Sequence, residues 1–61
     1  MKITILIKWF NKEKVINKES IININIGNNT NINNDFLSKI ISDKYKLNNL
    51  DVRIKGYLIL N

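Results

Sequence analysis

Few side chains in this chain could move a proton, hold a metal or attack a substrate. There is no His and no Cys, so the commonest general base, the thiol nucleophile and the usual zinc ligands are missing. The carboxylates number five, Glu13, Glu19, Asp35, Asp43 and Asp51, and no spacing among them requires two to share a site. Ser20, Ser38, Ser42, Thr4 and Thr30 have no base to activate them. Gly27 and Gly56 are the only glycines, so no loop exists to cradle a phosphate. Catalytic, cofactor-binding and metal-ligating residues are therefore expected to be absent, and an enzyme is not expected. What the sequence offers is contact chemistry: Leu6, Phe10, Ile21, Tyr57 and Ile59 interleaved with Lys8, Arg53 and Lys55. Such a set can bury apolar area against a protein, or stack and neutralise a single nucleic-acid strand.

Length and composition narrow the classes further. Sixty-one residues make one domain, which on folding buries only about 60% of its unfolded surface. With 44% apolar residues the chain is too hydrophobic for disorder. Ile, Asn and Lys, at 13, 12 and 9 residues, have A/T-rich codons. Part of the net charge of +5 is therefore expected to reflect an AT-rich genome rather than a basic partner. The opening apolar run, Ile3 to Ile7, stops at Lys8, too short for a signal-peptide core or a membrane span. An intracellular, cytoplasmic protein is the expectation.

The contact residues must be positioned by regular elements, and hydrophobic periodicity supplies these. Lys2 to Phe10 alternates with period two, Ile3, Ile5, Ile7 and Trp9 on one face and Lys2, Thr4, Leu6, Lys8 and Phe10 on the other, which predicts a strand. Ser20 to Ile26 alternates likewise, with Ile22, Ile24 and Ile26 against Ile21, Asn23 and Asn25. Aligning the two isoleucine rows pairs Ile7 with Ile22, Ile5 with Ile24 and Ile3 with Ile26, and places a hairpin tip near Glu13 to Ile16. Gly27 ends the second strand and the Asn-rich run 28–33 forms a loop. Asn33 or Asn34 can cap a helix to about Lys46, with Asp35 in its first turn and Phe36, Leu37, Ile40, Ile41 and Tyr45 on one stripe. From Leu50 to Leu60 alternation returns. Leu50, Val52, Ile54, Leu58 and Leu60 are expected on one face and Arg53, Lys55, Tyr57 and Ile59 on the other. Gly56 is read as a bulge, with a tight hairpin as the rival.

These elements predict an α+β fold of order β-β-α-β: a three-stranded antiparallel sheet, first strand central, with one helix on one face. A single helix leaves the other face open. Leu6, Lys8, Phe10, Ile21, Arg53, Lys55, Tyr57 and Ile59 are expected there as the candidate partner-binding residues, with more apolar surface than a small domain usually exposes. Trp9, at the end of the inward row, either closes the core over the helix end or, if the hairpin projects past the helix, anchors an interface. Lys12, Lys14 and Lys18 at the tip are expected to form a solvated turn, or else a clamp for phosphates or an acidic partner.

In its opening hairpin (Met1 to Ile26), the helix after Thr30 and the stretch Val52-Arg53-Ile54-Lys55-Gly56-Tyr57-Leu58, the chain resembles the ubiquitin-like β-grasp family in element order. The resemblance implies that fold and a habit of binding proteins through the sheet. With Leu60-Asn61 in place of a Gly-Gly tail, and no room for the family's last central strand, it implies neither conjugation nor sulfur carriage.

The function expected is that of a small non-enzymatic binding or regulatory protein, of the kind a phage or mobile element uses to inhibit a host protein. It would act through its open sheet face and edges on a protein partner or on a second copy of itself. The alternatives are a single-stranded nucleic-acid binder, using Phe10 and Tyr57 among the cations, and an unremarkable solvated face. No membrane partner is expected.

Overall fold

A computed structural model describes residues 1–61. The strands β1 (Lys2–Asn11), β2 (Ile16–Asn25) and β3 (Val52–Ile59) form one sheet in the order β2-β1-β3, and α1 (Asn34–Tyr45) covers one face. Both pairings are antiparallel, so the expected architecture, with the first strand central, is what the molecule adopts. A 3-10 turn, Asn49–Asp51, links the helix to β3.

The hairpin register differs from the expected one by two residues. Ile5 stands opposite Ile22 and Ile3 opposite Ile24, while Ile7 faces Ser20. Aligning isoleucine with isoleucine leaves Ser20 out of the isoleucine row's pairing, but here it stands buried opposite Ile7 and its polarity is satisfied. Trp9 Nε1 donates to Ser20 Oγ at 3.0 Å, and Ser20 Oγ lies 2.8 Å from the Tyr45 hydroxyl. The two-residue change keeps every side chain on its face and moves the turn to Lys12–Val15. There Asn11 Oδ1 accepts from the backbone N–H groups of Glu13 and Lys14. Val15 sits at φ 55°, a left-handed conformation that β-branched residues adopt only under strain.

The helix begins where its cap dictates: Asn33 Oδ1 accepts from Phe36 N at 2.9 Å. It ends at Lys46 in the left-handed region. Its buried stripe is narrower than expected. Leu37 and Ile41 are fully buried, Phe36 and Ile40 only partly, and Tyr45 is exposed along much of its ring. Ser38 and Ser42 complete the inward face. Ser38 Oγ donates to Asn49 Oδ1 at 2.8 Å and so fastens the helix to the turn that launches β3, while Ser42 Oγ donates within the helix to Lys39 O at 2.9 Å. Ile3, Ile5, Ile7, Trp9, Ile22, Leu37, Ile41, Val52 and Ile54 make up the core. No buried side-chain polar atom lacks a partner.

Gly56 is a bulge and not a hairpin turn: Lys8 pairs with Gly56 and Trp9 with Ile54, leaving Lys55 as the extra residue. Its φ is not positive, and a Cβ built there meets nothing within 4 Å, so the bulge comes from register and not from any need for glycine.

Candidate interaction surface

A bulge adds one residue to one strand, so the alternation beyond it is inverted. This decides the composition of the open face. Beyond Gly56, Tyr57 stands opposite Ile7 and Ile59 opposite Ile5, so both lie on the helix side. The Tyr57 hydroxyl donates to the carbonyl of Ile32, just ahead of the helix, at 3.3 Å. Tyr57 and Ile59, expected on the open face, are thus on the other one. Leu58, expected in the core, stands opposite Leu6 on the open face and is 59% exposed. Leu60 follows it, held by a 2.7 Å bond from its N–H to Thr4 O. Leu50, expected to share the inward row, lies in the 3-10 turn and is 77% exposed.

Of the other expected contact residues, Leu6, Lys8, Phe10, Ile21 and Arg53 do share the open face. Leu6 is opposite Ile21 on one side and Leu58 on the other, so three aliphatic side chains make a straight row across all three strands. Ile21 is 60% exposed. Thr4 and Asn23, joined by a 2.6 Å hydrogen bond, border the row on one side. Lys8 and Glu19 border it on the other, 3.9 Å apart and well exposed; a pair this wet stabilises by at most about 1 kcal/mol. Phe10, half-buried, stands between Asn17 and Arg53. Lys55, squeezed out at the bulge, shares a shallow depression of about 570 Å³ with Lys8, Asn17 and Glu19. The face can exclude water from an apolar strip and meet a partner's charges at the rim.

Trp9 belongs to the core. It is 2% exposed, and its ring stacks on Tyr45 with centroids 5.5 Å apart and planes at 28°. Lys44 Nζ lies 5.8 Å from the centroid of the Tyr45 ring. Around this stack, between helix end and hairpin tip, runs a second concavity of about 370 Å³, whose lining includes Lys14, Ile16, Lys18 and Leu47. Lys14 and Lys18 thus come together at the tip beside an aromatic wall. No group of three or more carboxylates gathers anywhere.

The fold and face define a small α+β domain with one covered and one open sheet surface, and no helix is long and apolar enough to cross a membrane. Comparison with protein-family models, curated proteins and solved structures finds no match.

Proposed function

We propose that the chain is a non-enzymatic binding protein that engages another protein through its open sheet face, in the manner of the small inhibitors by which phages and mobile elements act on host proteins in the cytoplasm. The row Leu58–Leu6–Ile21 supports this reading most directly. Aliphatic residues in register across a whole sheet, the outer two well exposed and Leu6 half-buried between them, make a contiguous patch, and on small domains such patches mark interaction sites. The likeness to β-grasp domains in element order fits the same habit of binding through the sheet.

A nucleic-acid strand is the weaker candidate. Phe10 and Tyr57, the rings expected to stack on bases, lie on opposite faces, so consecutive bases cannot stack on both. The net charge of +5 supplies attraction to any polyanion, which collapses as salt rises. The test is capture of binding proteins by the immobilised chain, nuclease-treated, beside Leu6→Lys. Proteins retained by the wild type and lost by Leu6→Lys support the reading. Capture abolished by nuclease, or unchanged in Leu6→Lys, refutes it.

A further inference from the structure

The two edges of the sheet are unequal. β3's outer edge is bent by the bulge at Lys55, and its Val52 carbonyl lies 3.4 Å from the Ser38 hydroxyl oxygen. β2 is a regular strand of 10 residues, unbroken in its pairing with β1 and free of Pro and Gly. Of the usual protections of an edge it has only two charged residues, Lys18 on the helix side and Glu19 on the open face.

Which β2 backbone groups are free follows from the central strand, whose successive residues bond alternately to its two neighbours. Thr4 O accepts from Leu60 N, and Lys12 N donates to Asp51 O, both on the β3 side; Met1 O accepts from Ile26 N on the β2 side. Odd-numbered β1 residues therefore bond to β2. Their partners Ile24, Ile22, Ser20, Lys18 and Ile16 turn N–H and C=O inward. Asn17, Glu19, Ile21, Asn23 and Asn25 turn theirs outward, and none of the backbone bonds outside the ladders reaches them.

We infer that β2 is a dimerisation edge, pairing antiparallel with β2 of a second copy about a two-fold axis at Ile21. In that register Ile21 meets its own mate, Glu19 meets Asn23 and Asn17 meets Asn25. Each close pair exchanges two backbone hydrogen bonds, and no like charges stand opposed. A shift to the neighbouring register on either side loses a close pair and sets Ile21 against Glu19 or Asn23. An axis perpendicular to the sheet keeps both helices on one side. The rows Leu58–Leu6–Ile21 of the two copies then join into one apolar strip, end to end. The inference extends the reading of the open face as a binding surface without depending on it, since dimerisation and capture are read separately.

Sedimentation equilibrium of the full chain, from micromolar to millimolar concentration, tests it alongside two charge variants. The wild type is expected to pass from monomer to dimer. Ile21→Lys, which opposes two cations at the axis, is expected to weaken the dimer by about tenfold or more. Leu6→Lys, one strand from the edge, is expected to leave it nearly unchanged. On dilution, the amides of Asn17, Glu19, Ile21, Asn23 and Asn25 should lose exchange protection while those of Lys18, Ser20 and Ile22 keep it. A wild type monomeric at millimolar concentration overturns the inference. So does a dimer weakened equally by Leu6→Lys and Ile21→Lys, which is the signature of face-to-face packing, or one whose β2 amides show no alternation on dilution.

Discussion

Leu6 and Ile7 are neighbours on one strand, and the two faces they belong to are packed very differently. On Ile7's side every inward group is matched: Ile5 and Ile7 are fully buried under Leu37 and Ile41, and the one polar residue in the strand rows' centre, Ser20, is held by Trp9 and Tyr45. On Leu6's side the aliphatic row ends in water, bordered by a hydrogen bond and an exposed ion pair that add little. With 13 of 61 residues buried, the domain draws its stability from one layer and leaves the other free. Period-two alternation in a two-layer protein thus divides a strand's residues between a buried core and an open surface.

The comparison can be broken most sharply by the same truncation on both faces. Leu37→Ala removes a fully buried side chain and is expected to destabilise by about 2–5 kcal/mol, whereas Leu58→Ala on the open face should change stability by no more than about 0.5 kcal/mol. Urea midpoints of the two variants, measured together, decide it; equal losses would mean that the open face is part of the core. Next in size is Trp9→Phe, which keeps a ring on Tyr45 but deletes the indole donor to Ser20. A loss of about 1–3 kcal/mol is expected, together with a faster-exchanging Ser20 amide. The smallest effect is Gly56→Ala. Nothing stands within 4 Å of the added Cβ, so the variant should be more stable by about 0.4–1 kcal/mol. Thermal melts read the sign, and a destabilised Gly56→Ala would show that the bulge does need glycine.

Element types and order were legible because each strand carries at least three alternating isoleucines or their equivalents and the helix opens on an Asn cap. Two things were not. The hairpin register depended on Ser20, whose place in the core rests on hydrogen bonds with Trp9 and Tyr45, the latter 25 residues away; local pattern holds no trace of that partner. The open face depended on Lys55. Reading Gly56 as a bulge already implies that alternation inverts beyond it, and carrying the inversion through would have placed Leu58 outward and Tyr57 and Ile59 inward from sequence alone. The residues before the bulge, Leu6, Lys8, Phe10 and Arg53, and Ile21 on β2, needed no such step and fall where alternation puts them. The serines of the helix were legible only as polar, because their partner Asn49 lies in a turn beyond the helix end.

The most direct test of the division between faces is a pair of lysine substitutions at adjacent positions of β1. Ile7→Lys buries a charge in the fully enclosed core and should unfold the domain. Leu6→Lys can lay its stem along the sheet with its ammonium in water, leaving the urea midpoint close to that of the wild type while abolishing protein capture. A Leu6→Lys variant that unfolds along with Ile7→Lys, or one that folds and still binds, would contradict the account.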